Sequence, residues 1–163
     1  MRSVSSTAAT SKRTARPVAQ RGAKAQAIGV SRGGRTTKIH AVCDLLGRPL
    51  ALALTPGNTS DVKAAPVLIA MAGRLKRLIA DRGYDANSLR RELKAAGTKP
   101  IIPGRRNRKR PIQHDRTRYA ERWRIEVMFC RLKDYRRVAT RYDKLAANYL
   151  ASVQLAAIVS FWC

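Results

Sequence analysis

Four residues near the C-terminus have side chains and spacing that suit the handling of a phosphate group. Tyr119, Arg122, Glu126 and Lys133 would share one face of a single helix, because residues three, four or seven apart lie above one another. This face holds one carboxylate between cations, in a segment rich in arginine. Such an acid is either a salt-bridged surface residue or a ligand that holds a divalent metal ion against a phosphate.

A second acid occupies a place where α/β sheets put functional groups. Asp81 follows the apolar run Leu78–Ala80 directly and precedes a glycine turn, so it would lie at the carboxyl end of a buried strand. Capping of that turn is an equally simple explanation. A carboxylate at a strand end and one on a nearby helix can share hard cations. Asp81 and Glu126 are therefore the candidate catalytic and metal-binding residues.

Other acids have sufficient structural explanations. Asp61 and Asp115 stand at expected helix starts, where the helix dipole stabilises a carboxylate. Asp85 could cap the helix that begins near residue 87. We therefore leave these three residues outside the candidate site.

The charge of the chain favours a polyanionic partner. Its 163 residues include 34 Lys plus Arg against 10 Asp plus Glu, a net charge of +24, and the excess runs through the whole sequence. Nucleic acid is the partner that such an excess favours. The segments 104–111 and 135–141 are candidate phosphate contacts, the alternative being solvated loops. The candidate DNA-binding residues are Tyr119, Arg122, Lys133, Arg105, Arg106, Arg108, Arg136 and Arg137.

Cysteine usage and hydropathy indicate a cytoplasmic protein. Cys43, Cys130 and Cys163 are odd in number and far apart, which predicts neither a disulfide framework nor a metal site. Residues 145–163 carry no charge, but polar residues such as Asn148 interrupt the run. We therefore expect a largely buried terminal helix and no membrane contact.

The alternation of apolar residues predicts an α/β order of elements. Residues 36–42 and 50–54 have the pattern of a hairpin, and later strands alternate with helices. Such an order favours a sheet with helices on both faces. Residues 1–34 look irregular. The other expected elements are a helix from Asp61, a strand at 78–80, a helix at 88–96, a strand at 99–103, a helix at about 115–133 and a terminal helix from about Asp143.

Several motifs, in one order, resemble a known family. They are Ser31–His40, Thr55–Asn58, Asp81–Asp85, Ile101–Arg105, the Tyr119-to-Lys133 face and Ala139–Ala146. Together they make the chain similar to the C-terminal catalytic portion of a bacterial insertion-sequence transposase of the DDE class. The IS-five-like group is the most similar, and the resemblance spans about residues 26–163.

The resemblance implies an RNase-H-like core in which three acids hold two Mg²⁺ ions for DNA strand cleavage and strand transfer. Asp81 matches the second acid and Glu126 the third. Arg122 and Lys133 would contact phosphate near the cleavage site, and Tyr119 would position the terminal nucleotide or simply pack. The implied partners are DNA, at transposon ends and target, and a second copy or the upstream half of the transposase. The implied location is the bacterial nucleoid.

One departure from the family pattern bears on activity. Residues 1–43 contain no Asp or Glu, and Ser5–Thr7 has serine where the first acid should stand. A hydroxyl cannot replace a carboxylate that bridges two cations. We expect a basic irregular segment at 1–30 and a partial RNase-H-like core at 31–163 that lacks its first strand. The chain would be a truncated or frame-disrupted transposase, inactive alone. The alternative is a non-catalytic nucleic-acid-binding remnant that binds or blocks transposon ends.

Overall fold

A computed structural model describes residues 2–13, 26–31 and 34–163. Within these residues, seven strands form one mixed sheet flanked by helices. The strands are β1 (Arg2–Arg13), β2 (Gly29–Ser31), β3 (Gly34–Cys43), β4 (Pro49–Pro56), β5 (Leu75–Ala80), β6 (Lys99–Ile101) and β7 (Thr140–Arg141). The helices are α1 (Asp61–Ala72), α2 (Asn87–Ala95), α3 (Arg116–Ala120), α4 (Trp123–Asp134), α5 (Arg136–Ala139) and α6 (Ala146–Phe161).

The sheet combines an antiparallel half with a parallel half. Its strand order is β2-β3-β1-β5-β6, with β4 paired to β3 and β7 paired to β1. The pairs β1–β3 and β3–β4 are antiparallel, whereas β1–β5 and β5–β6 are parallel. The carboxyl ends of β1, β5 and β6 therefore point the same way, and the turns that follow β5 and β6 lie at one edge.

The predicted hairpin is confirmed as β3 and β4. The Asp44 carboxylate accepts hydrogen bonds from the backbone N–H groups of Leu46 and Arg48, each at 2.9 Å, and so closes the turn. Gly47 in this turn has φ +79°, a conformation that glycine adopts at little cost.

The strand β1 corrects the expectation that residues 1–34 are irregular and that the first strand is missing. It lies inside the sheet between β3 and β5, with Ser5 opposite Cys43 on one side and Ile79 on the other. The small polar residues of 2–13 lack the alternation of a typical strand, but pairing along both edges overrides that weak local signal. The expectation for residues 14–25 and 32–33 lies outside the described residues.

Two apolar clusters cover the two faces of the sheet, as predicted for an α/β sheet. On β3, Val42 packs in the cluster that includes α1 and α2, while Ile39 and Ala41 pack in the cluster that includes α4 and α6. This split follows from the two-residue period of a strand. Among the described residues, no helix is both long enough and apolar enough to cross a membrane.

The helix expected at about 115–133 is two helices joined by a tight turn. Backbone hydrogen bonds run from Arg122 N to Tyr119 O (3.0 Å) and from Ile125 N to Arg122 O (3.2 Å). These bonds span three residues rather than four, as in a 3₁₀ turn. The prediction of one regular helix is therefore wrong at residues 121–122, which separate α3 from α4.

Candidate active site

Asp81 lies at the carboxyl end of β5, as the sequence predicts. A 3₁₀ turn over Arg82–Tyr84 follows directly, and the Asp81 carboxylate accepts a hydrogen bond from Gly83 N at 2.8 Å. The pairing of β5 with β1 ends at Ala80 opposite Ser6, one residue before this acid. The partly buried Asp81 side chain therefore lies at the carboxyl end of β5, where β1 continues beyond its pairing with β5.

Asp61 brings a second carboxylate to the same turn. A Cβ atom on Gly83 would lie 2.7 Å from Asp61 Oδ2 and 2.9 Å from Asp81 Oδ1, so both carboxylates crowd this glycine. The other oxygen of Asp61 accepts a 2.9 Å salt bridge from Lys38 Nζ, which also donates to Thr59 O at 2.8 Å. Sequence reasoning missed Asp61 because its place at a helix start was explanation enough.

A cavity of about 460 Å³ opens beside these two acids. Its walls include Tyr119 and His114, whose rings meet edge to face with centroids 5.2 Å apart. The structure thus brings together Asp81 and Tyr119, two of the predicted site residues. The full set of lining residues is Asp61, Asp81, Arg82, Gly83, Pro103, His114 and Tyr119.

The fully buried His40 lies close enough to both acids to feel their charge. Burial lowers the pKa of His40 from 6.5 to about 4, although Asp61 and Asp81 act in the opposite direction. Its ring nitrogens lie 2.7 Å from Thr55 Oγ1 and 3.4 Å from the Tyr84 hydroxyl. His40 is therefore a neutral, hydrogen-bonded support at pH 7.

The face predicted around Glu126 is assembled in part. The Arg122 guanidinium lies 5.9 Å from the centre of the Tyr119 ring and forms an ion pair with Glu126. The Glu126 side chain is 55% exposed, and Lys133 is exposed one residue before the end of α4. Neither Glu126 nor Lys133 lines the cavity beside Asp81. Cooperation between Asp81 and Glu126 therefore stays a prediction.

A two-metal centre does not fit the described donors as they stand. Among residues 2–13, 26–31 and 34–163, no group of three His, Cys, Asp or Glu side chains could hold a metal ion. Asp61 and Asp81 supply two carboxylates at the cavity, but Lys38 already neutralises one of them. We therefore assign no reaction step to a metal at this site.

Comparison with known proteins identifies the family. Residues 7–161 match the family described as transposase DDE domain. The chain belongs to this family. Its mixed sheet with helices on both faces is compatible with the RNase-H-like core that a DDE transposase domain implies.

Two transposase relatives support this assignment. A Brucella ovis protein named "Putative transposase for insertion sequence element IS6501" is 38% identical over 125 residues, covering 74% of this chain and 94% of the relative. A Burkholderia cepacia protein named "Putative transposase for insertion sequence element IS402" is 31% identical over 137 residues. That match covers 77% of this chain and 63% of the relative, so the chain spans less than two thirds of the second protein.

Asp85, the last residue of the Asp81–Asp85 motif, has a structural role and is not one of the predicted catalytic acids. Its fully buried side chain accepts hydrogen bonds from Arg108 Nε at 2.6 Å, Arg90 Nε at 2.9 Å and Arg105 N at 2.8 Å. Burial by itself raises the pKa of the Asp85 carboxyl. The hydrogen bonds from Arg108, Arg105 and Arg90 outweigh burial and hold this pKa at about 2. The predicted helix cap is not its main role.

Apart from Arg122, the arginines predicted to contact DNA lie in two basic segments, 104–111 and 135–141, and most of them already have partners within the protein. Arg108 is bound to Asp85 and Asn87, and the Arg105 guanidinium donates to the carbonyl oxygens of Arg82 and Gly83. Arg106 is exposed. In the second basic segment, Arg136 Nε donates to the Tyr142 hydroxyl at 3.1 Å, and Arg137 forms a 3.2 Å salt bridge with Asp143.

Proposed function

We propose that the chain acts on DNA as an insertion-sequence transposase whose strand cleavage and strand transfer require a carboxylate that residues 1–43 do not supply. The family performs polynucleotidyl transfer on DNA and generally uses divalent metal ions. The observation that supports the missing-acid proposal most directly is the strand β1. It lies beside β5, next to Asp81, and has serines at residues 5 and 6.

The proposed roles follow the family motif. Asp81 and Glu126 match two of the three carboxylates of the family motif and would hold Mg²⁺ only once the missing acid is supplied, while Arg122 and Lys133 contact phosphates of the transposon end. Tyr119 positions the terminal nucleotide or packs against it. The net charge of +24 favours binding of both the transposon ends and the target. A second copy, or a separate upstream half, is the proposed protein partner, and the nucleoid the proposed location.

One contact favours a second candidate function, a non-catalytic protein that binds or blocks transposon ends. Lys38 places a fixed cation on Asp61, at the cavity that Asp81 also lines. An ammonium group at this place opposes the binding of another cation nearby. Such a site suits retention of DNA phosphate better than cleavage of it.

Nicking of a supercoiled plasmid that carries the element's ends, with Mg²⁺ present, tests the first proposal. The natural chain should not nick. Serines 5 and 6 are the residues of β1 that pair with the last two residues of β5 before Asp81. Of the variants Ser5→Asp and Ser6→Asp, the one that restores the missing acid should gain activity, and the other is its matched control. Adding Asp81→Asn should abolish the gain.

The other outcomes separate the two candidates. Nicking by the natural chain that is lost with Asp81→Asn would mean that another group replaces the first acid. If neither serine variant nicks while both bind the plasmid as tightly as the natural chain, the non-catalytic reading is the better one.

A further inference from the structure

The basic loop, residues 104–111, is attached to the wall of the Asp81 cavity. Pro103, just before the loop, and His114, just after it, both line that cavity. The Arg105 guanidinium donates to Gly83 O at 3.2 Å and to Arg82 O at 3.4 Å, and both acceptors belong to residues of the same wall. The loop is therefore part of the cavity rim.

Hydrogen bonds to the buried Asp85 carboxylate hold this loop in place. Asp85 binds the backbone N–H of Arg105 at 2.8 Å and the Arg108 guanidinium through both of its oxygens, at 2.6 Å and 2.8 Å. Arg90 joins Asp85 to Ile102 O, at 2.9 Å and 2.6 Å. A two-pronged bond between guanidinium and carboxylate fixes orientation as well as distance. The start and the middle of the loop are thus tied to one buried carboxylate.

The same bonds divide the loop cations into two kinds. Arg105 and Arg108 are engaged within the protein, as described above. Arg106, Lys109 and Arg110 are exposed, and no salt bridge or side-chain hydrogen bond between described residues involves them. Three cations therefore project from a loop whose other two basic residues hold its shape.

We infer that Asp85 holds the basic loop as a preformed phosphate-binding surface, in which Arg106, Lys109 and Arg110 contact the backbone of duplex DNA beside the Asp81 cavity. This inference rests on the proposed DNA-binding function and goes beyond it by assigning the surface and the residue that positions it. Arg108, predicted from the sequence to contact DNA, becomes a positioning residue.

The chemistry of the loop suits a duplex backbone. Exposed Lys and Arg side chains bind phosphate oxygens regardless of sequence, and each neutralised phosphate releases counterions. A loop that is already ordered loses little conformational entropy on binding, so its charges contribute more to affinity than those of a flexible segment.

The first test compares two triple variants of the full chain. Arg106→Gln, Lys109→Gln and Arg110→Gln together remove the exposed loop cations. The control removes three exposed cations near the amino ends of β5 and β6, away from the carboxyl ends where the basic loop lies. These substitutions are Arg74→Gln, Lys76→Gln and Lys99→Gln. Binding of a duplex is measured against salt concentration. The slope of log affinity against log salt should fall in magnitude by about 2 to 3 for the loop variant and by about 1 or less for the control.

The second test concerns the positioning role of Asp85. Arg108→Lys keeps the net charge but loses the two-pronged bond, and Asp85→Asn raises the net charge by one. Charge alone would leave duplex affinity unchanged in the first variant and increase it in the second. The inference predicts at least a threefold loss in both, with faster trypsin cleavage within the loop. The double variant should lose little more than either single one.

Each result has a definite meaning. Equal slopes for the two triple variants would overturn the assignment of the surface. Unchanged affinity and unchanged cleavage in Arg108→Lys would overturn the role of Asp85, and this variant decides the point if Asp85→Asn does not fold. Failure of the natural chain to bind duplex DNA at all would refute the proposed function itself, which neither of the other results does.

Discussion

Asp81 and Asp85 stand four residues apart on the turn after β5, but their surroundings differ. Asp85 has no exposed side-chain surface and is bound by two guanidinium groups and a backbone N–H. Asp81 is only partly buried, lines a cavity and lies near a second carboxylate. One short turn therefore contains an acid that fixes the backbone and an acid that is accessible to a ligand.

The comparison shows why a motif segment cannot be interpreted residue by residue from its composition. Both acids are aspartates, and they flank the same three residues, 82–84, in the sequence. Their difference arises from two guanidinium groups that donate hydrogen bonds to the Asp85 carboxylate. One belongs to Arg90 of α2, and the other belongs to Arg108 of the basic loop. Three hydrogen-bond donors around a buried carboxylate indicate a structural acid, whereas a partly exposed acid at a strand end stays a candidate for function.

Asp85→Ala should produce the largest loss of stability among substitutions at this turn. Removal of one partner from a buried ion pair leaves uncompensated guanidinium groups, at a cost of about 3–5 kcal/mol. Urea unfolding at pH 7 measures the change. A loss below about 1 kcal/mol would contradict the structural reading of Asp85.

Acid pH should weaken the fold in two separate windows. Because burial lowers the pKa of His40 from 6.5 to about 4, the unfolded chain takes up this proton first as the pH falls. Stability should therefore decrease by about 3 kcal/mol between pH 6.5 and 4, the equivalent of this shift. Asp85, with a pKa of about 2, stabilises the fold above pH 3.8 and loses that contribution as the pH falls toward 2.

The control for the upper window is His40→Gln, which keeps polar atoms at the site but cannot titrate. Unfolding free energies measured from pH 7 to 4 should show a smaller pH dependence for this variant than for the natural chain. Equal slopes in the two proteins would mean that another group titrates there.

Local sequence patterns were sufficient to predict those elements whose residue preferences match the structure they adopt. The hairpin of β3 and β4 and the position of Asp81 after β5 were predicted because alternation, turn residues and an apolar run are local signals. The strand β1 was missed because serine, threonine and alanine have little preference of their own. Its pairing partners lie more than 20 residues away in the sequence.

The site was predictable only where its residues follow a motif. Asp61 reaches Gly83 through tertiary folding, and no spacing in the sequence relates residue 61 to residue 83. The hydrogen bonds between Arg108 and Asp85 likewise depend on a contact between residues 23 positions apart in the sequence. A count of basic residues cannot separate a cation that is bound internally from one that is exposed.

Asp81→Asn should change stability much less than Asp85→Ala. Asparagine keeps an oxygen that can accept the hydrogen bond from Gly83 N, and removal of the charge relieves repulsion by Asp61. We expect a change within about 1 kcal/mol by thermal unfolding at pH 7. A loss as large as that of Asp85→Ala would mean that Asp81 is also a structural acid, and the contrast between the two would fail.

Glu126→Gln should have the smallest effect on stability, because the ion pair with Arg122 is exposed and such pairs contribute roughly 0–1 kcal/mol. Arg122→Gln, which removes the other partner, is the matched control for the ion pair and should unfold at the same temperature as Glu126→Gln within a few degrees. The effect of Glu126→Gln on activity should be large if Glu126 is the third acid of the family motif.

This effect is measured in the serine variant that gains nicking activity. There, Glu126→Gln should abolish nicking while duplex affinity stays the same, since a glutamine cannot supply the anionic ligand that a hard cation needs. Retention of nicking in that background would place the third acid elsewhere, and the exposed position of Glu126 would then be that of an ordinary surface residue.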